Sequence, residues 1–130
     1  ALRIVEAVEA LLGGGVSPAR ITVSSDGGGM TAIRDERGRV IENRQCLPSG
    51  LLRDFRTIAG GRLGVAAAAA LFTANVADAL GFDQRRGRVE PGLDADLLLL
   101  ASDLGLRAVV AGGAWWEPDP TADTARRRRD

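Results

Sequence analysis

The run Ile21-Thr22-Val23-Ser24-Ser25-Asp26-Gly27-Gly28-Gly29 constrains this chain more than any other stretch. Ile21 and Val23 are β-branched and apolar, and a polar residue separates them, so the segment reads as a short buried strand. Asp26 stands where that strand ends. The glycines that follow remove the side chains beside the carboxylate, so a metal, a water or a substrate backbone can approach it closely. A plain strand followed by an Asp-Gly turn is the alternative reading of the same residues. On its own, the segment leaves both open.

A second pattern lies in the other half. Gly87-Arg88-Val89-Glu90-Pro91-Gly92-Leu93-Asp94-Ala95-Asp96 leads into four leucines, Leu97 to Leu100. This run resembles the tail signature of the amidohydrolase superfamily, "G-x-D-A-D-hydrophobic". Phe72-Thr73-Ala74-Asn75-Val76-Ala77-Asp78-Ala79-Leu80-Gly81 resembles that family's "T-x-N-P-A-x-x-L-G" segment, with Val76 where Pro is usual. Leu106 to Gly113 resembles its last strand pair, and Ser-Ser-Asp-Gly-x-Gly is most similar to the isoaspartyl (β-aspartyl) dipeptidase branch. The resemblance runs from about Leu2 to Trp116. It implies an α/β chain, the C-terminal part of a metal-dependent hydrolase (β/α)₈ barrel plus strands of a small composite β-sandwich. Residues 1–82 would carry the last barrel strand, the catalytic loop and helices, and residues 83–116 the β strands. Residues 117–130 would form a disordered Pro-, Asp- and Arg-rich tail.

The resemblance also implies roles. Asp26 would be the catalytic aspartate at the end of the last barrel strand and a ligand of a dinuclear zinc site. There it would take a proton from the attacking water and pass it to the leaving amine. A neighbouring cation would keep such a carboxylate ionised. Gly27 and Gly28 would line the mouth, either offering N–H groups to a substrate carboxylate or supplying only positive φ. The family has Ser four residues after the aspartate, where this chain has Met30, which donates no hydrogen bond. Thr31 then either takes the place of that Ser through a shifted loop, or affinity for a β-aspartyl group is weakened. The implied substrate is a small dipeptide with an isoaspartyl bond, and the implied full-length enzyme is a homo-oligomer. An N-acyl-D-amino-acid deacylase, an imidazolonepropionase-like enzyme and a truncated non-catalytic stub are the alternatives.

Composition limits what the chain does alone. Its 130 residues include no His and one Cys, and all 17 basic residues are Arg. A zinc site takes imidazole, thiolate or carboxylate ligands, so the His-rich centre implied by the family has no imidazole here. A complete barrel needs roughly 250 residues. The sequence opens at Ala1 inside a helical pattern, and it is therefore read as the C-terminal part of a longer amidohydrolase. Seventeen acids balance seventeen bases, which argues against nucleic acid as the partner. No apolar run reaches the ~18 residues of a membrane span. A single Cys excludes an internal disulfide and suits a reducing, cytoplasmic compartment.

The remaining elements follow from periodicity. Leu2, Val5, Val8 and Leu12 predict a helix ended by Gly13-Gly14-Gly15. Ala32 to Ile41 predicts a hairpin turning at Glu36 to Gly38. Ser49 is placed to cap a helix over Gly50 to Ala59, with Leu51, Leu52, Phe55 and Ile58 as its apolar stripe. An Ala-rich helix is expected after Gly60-Gly61, ending near Leu80 with Gly81 beyond it. Arg88-Val89, Asp96 to Leu100 and Arg107 to Ala111 read as strands, Leu97 to Leu100 as one buried on both faces. Cys46 reads as a packing or loop residue, Trp115-Trp116 as core or seam packing, and Arg126 to Arg129 as a solvated end. Asp94 and Asp96 read as a pair that caps strands and has no catalytic role.

Overall fold

The structure, a computed structural model, describes residues 4–118. The expected disordered tail and the Arg126 to Arg129 run lie almost wholly outside them, as does Leu2. The described residues form a mixed α/β arrangement. Helix α1 (Ile4–Gly13) is followed by a single 3₁₀ turn (Pro18–Arg20), then strands β1 (Met30–Arg34) and β2 (Val40–Gln45). Helices α2 (Gly50–Ala59), α3 (Gly64–Phe72) and α4 (Ala74–Leu80) follow, then strands β3 (Leu97–Leu100), β4 (Leu106–Ala111) and β5 (Ala114–Trp116).

The core joins the helices to the segment that carries Asp26. Val8, Ile21, Val23, Ile58, Ala59, Ala68 and Leu71 are buried together, with Val5, Leu12, Leu51 and Phe55 packed against them. The expected stripes of α1 and α2 therefore face inward. Phe55 meets Phe72 edge-on, with ring centroids 5.9 Å apart. Such a contact adds about 0.5–1.5 kcal/mol beyond the area it buries.

Ile21 and Val23 are buried while Thr22 and Ser24 are exposed. That is the alternation of a strand, and Ile21 has extended dihedrals, φ −104° and ψ 129°. Among the described residues, however, no strand runs beside this segment. The Val23 N–H donates to Leu71 O at 2.9 Å, at the end of α3, and the Ile21 N–H to Pro18 O at 3.1 Å. The segment is extended without being part of either sheet.

Strands β1 and β2 form the expected hairpin, antiparallel with Met30 opposite Gln45 and Ile33 opposite Glu42. Its turn is organised by Asp35, whose Oδ1 accepts the N–H groups of Arg37 and Arg39 at 2.9 Å. These bonds hold the Asp35 carboxyl below the usual carboxylate range, the Arg39 backbone N–H being the main cause.

Several expectations are corrected. The single Ala-rich helix is two helices, broken at Thr73 (φ −129°, ψ −87°). The Thr73 hydroxyl donates back to Ala69 O at 2.9 Å, closing α3 while α4 sets off from Ala74. Gly81 ends α4 in the left-handed region, as expected. Ser49 holds the position before α2 without a side-chain cap; the Gly50 and Leu51 N–H groups donate instead to Leu47 O and Pro48 O. Arg88-Val89 is not a strand. Gly87 (φ +96°) lies so close to α4 that a Cβ there would sit 2.6 Å from Ala77 Cβ. Arg88 then pairs with Asp78 at 2.8 Å, which keeps the chain along the helix.

Strands β3, β4 and β5 make an antiparallel sheet in that order, with Leu97 opposite Val110 and Val110 opposite Trp115. Leu97 to Leu100 is not buried on both faces, because Leu98 and Leu99 are exposed. Trp115 and Trp116 are exposed too, at 57% and 63%, rather than packed into a core or seam. A sheet of three short strands has too little around it to cover two apolar faces. Arg56 ties this sheet back to α2 by donating to Leu104 O at 2.7 Å.

Candidate functional site

Asp26 lies at the exposed end of the extended segment, in the left-handed region at φ +48°. Asp tolerates that conformation better than most residues, because its short side chain bonds locally. A tight turn follows, in which the Gly29 N–H donates to Asp26 O at 2.8 Å. Gly28 occupies the third position at φ +89°, where glycine carries no steric cost. Gly29 leaves space for the Asp26 carboxylate itself. A Cβ there would stand 2.5 Å from Asp26 Oδ2, so the carboxylate folds over bare backbone.

The other loop residues have partners within the chain. The Gly27 N–H donates to Ser25 Oγ at 3.1 Å. Pro48 Cγ lies 3.0 Å from where a Gly27 Cβ would be. The Gly28 N–H donates to Cys46 O at 3.2 Å, and the Cys46 N–H donates to Gly29 O at 2.9 Å. The hairpin ladder thus continues past Met30 into the Asp26 turn. Thr31 Oγ1 shares a hydrogen bond with Cys46 Sγ at 3.1 Å. Met30 is exposed beside them.

Two residues important to this geometry carry no such role in the sequence reading. Cys46 is one, read there as a packing or loop residue. Asn75 is the other: from the first turn of α4, its Nδ2 donates to Pro18 O and to Ile21 O, both at 2.8 Å. It fixes the entry to the segment that ends at Asp26. The "T-x-N" resemblance was its only signal.

Asp94 and Asp96 lie in a separate ion-pair cluster. Asp94 accepts from Arg85 at 3.1 Å and Arg86 at 3.0 Å. The Arg86 hydrogen bond, foremost, lowers its pKa from the ordinary value. Asp96 Oδ1 accepts the Gly112 N–H at 2.7 Å, closing the β4–β5 turn.

The residues present do not by themselves fit a zinc site. The chain contains no imidazole, and among the described residues no three His, Cys, Asp or Glu side chains gather around one point. A zinc centre takes three or four such ligands. Asp26 is an exposed carboxylate outside any such group.

No family model matches the chain, and no curated protein matches it. Solved structures do. The β-aspartyl dipeptidase of the thermophilic, keratin-degrading Fervidobacterium islandicum AW-1, solved with a β-Asp-Leu dipeptide, superposes with a TM-score of 0.72 at 23% identity. The match covers 88% of this chain and 30% of that one. The N-acetylglucosamine-6-phosphate deacetylase of Pasteurella multocida gives a TM-score of 0.64 at 13% identity, over 85% of this chain and 34% of that one. The chain shares its fold with a part of each of these two proteins. It spans about a third of their length. Among the described residues no helix is long and apolar enough to cross a membrane.

Proposed function

We propose that the chain is the C-terminal portion of a cytoplasmic amidohydrolase that cleaves isoaspartyl dipeptides, and that Asp26 is its catalytic residue. The observation that carries this reading is the presentation of Asp26. A buried, extended segment ends in an exposed carboxylate, and a glycine turn leaves one side of it open. The fold shared with a β-aspartyl dipeptidase supports the choice of reaction. Residues 1–82 then correspond to the end of a barrel and residues 83–116 to strands of a smaller β-domain. A zinc centre belongs to the reading, with its other ligands outside this chain.

In this role the Asp26 carboxylate accepts a proton from the water that attacks the scissile carbonyl, then delivers it to the departing amine. Gly27 and Gly28 form the wall of the mouth as backbone alone. Met30, exposed where a hydroxyl would suit a substrate carboxylate, weakens the fit to a β-aspartyl group, and an N-acyl-D-amino-acid deacylase is the second reading.

The test is the complete gene product, supplied with zinc and assayed on β-Asp-Leu and on N-acyl-D-amino acids. Turnover of β-Asp-Leu is expected, and Asp26→Asn should lower kcat by about 10²–10⁴-fold, the worth of a general base. Full turnover by that variant would remove Asp26 from the mechanism. Turnover of the acylated amino acids alone would move the substrate to the second reading.

A further inference from the structure

We infer that Cys46 and Thr31 are positioning residues, a clamp from the far side of the hairpin that fixes the turn presenting Asp26. The inference rests on the proposed role of Asp26 and extends it to residues that never touch substrate.

The turn needs an external restraint. Three consecutive glycines lose more conformational freedom on ordering than any other residues. Asp26 itself sits at φ +48°, a region that costs an L-residue stability unless its surroundings hold it there. Left to itself, such a loop would spread its carboxylate over many positions, and catalysis by a general base depends on one.

The restraint comes from a residue 20 positions along the chain. Both main-chain groups of Cys46 bond to the loop, its O to the Gly28 N–H and its N–H to Gly29 O. Its thiol bonds to the Thr31 hydroxyl, on the strand that leaves the loop. Two residues on, Pro48 packs against Gly27, its Cγ 3.0 Å from where a Cβ there would stand. The loop is therefore held at Gly27, Gly28, Gly29 and Thr31 from a single segment. Thr31 in this arrangement serves the loop, because its hydroxyl is directed to Cys46 Sγ.

The side-chain part of the clamp is separable by mutation. Thr31→Val and Cys46→Ala each remove the hydroxyl–thiol bond and leave the backbone bonds in place, while Thr31→Ser keeps the hydroxyl. In the complete gene product, Thr31→Val and Cys46→Ala should lower kcat about three- to ten-fold, the factor one neutral hydrogen bond is worth, with KM held within about two-fold. Thr31→Ser should restore kcat. Amide exchange at Gly28 should quicken in both disabling variants without a matching loss of thermal stability. A rise in KM at unchanged kcat would make Thr31 a substrate ligand and overturn the clamp. Unchanged kcat in both variants, with Asp26→Asn inactive, would overturn the clamp and leave the proposed function standing. Should Asp26→Asn keep full turnover, the proposed function fails, and exchange at Gly28 alone decides: unaltered protection in Thr31→Val overturns the clamp.

Discussion

Asn75 is the most sensitive single position for testing how this fold delivers Asp26. Its Nδ2 donates two hydrogen bonds of 2.8 Å, to Pro18 O and Ile21 O, from a half-buried site. Pro18 O also accepts the Ile21 N–H at 3.1 Å, so it keeps a partner when Asn75 is removed. Ile21 O depends more heavily on the amide. Asn75→Ala therefore deletes two bonds, each worth about 0.5–1.5 kcal/mol net, and leaves at least one carbonyl short of a donor. Partial burial admits water, which sets the total near 2 kcal/mol. For a chain of this size that is a fall in Tm of about 6–10 °C. Urea unfolding followed by far-ultraviolet circular dichroism should show a lower midpoint at unchanged slope; tryptophan fluorescence would report mainly on the exposed β5 residues. Asn75→Asp is the sharper control. It is nearly isosteric but points a carboxylate at two carbonyl oxygens, so at pH 7 it should destabilise more than Ala does. Those oxygens disfavour its charged form and raise its folded-state pKa above the unfolded value. Stability of this variant should therefore be greatest at acid pH, where the protonated carboxyl donates one bond. It should fall as pH rises from the unfolded pKa through the folded one. An Asn75→Asp variant as stable as the parent at pH 7 would refute both the bonds and the reasoning.

Two further outcomes are expected. The 130-residue chain alone should show no tight stoichiometric zinc site in a calorimetric titration and no hydrolysis of β-Asp-Leu, because its sequence has no imidazole and no three His, Cys, Asp or Glu side chains gather among the described residues. Asp94 has a lowered folded-state pKa, chiefly through Arg86, so its contribution to stability is present above the ordinary carboxylate pKa and is lost as pH falls through the folded one; Asp94→Asn should remove that part of the acid dependence in pH-resolved unfolding while leaving turnover of the complete enzyme unchanged.

What could be read from the sequence was what local chemistry decides. Helix α2 lies at its expected bounds because an apolar stripe at helical spacing and a following Gly-Gly pair define it within its own residues. The Asp26 turn was legible for the same reason, since Asp followed by glycines supplies the residue types that a tight turn with positive φ requires. The misreadings fall where distant residues decide. Nothing within the Ala-rich stretch marks a break at Thr73. Asn75 holds the start of α4 by bonds to residues 54 and 57 positions earlier, and a local pattern carries no trace of them. Val89 has the composition of a strand residue, yet contact of Gly87 with Ala77 keeps the chain beside α4. Cys46 is the instructive case. Read alone, it is a free thiol with no partner, because its bonds to Gly28 and Gly29 exist only once β1 and β2 pair in one register. A shift of that register by one residue would turn the Thr31 hydroxyl to the other face of the hairpin. The position of Asp26 is therefore determined twice, by the core under Ile21 and Val23 and by the register of a hairpin on the opposite side of the turn. Only the first of these was visible before folding.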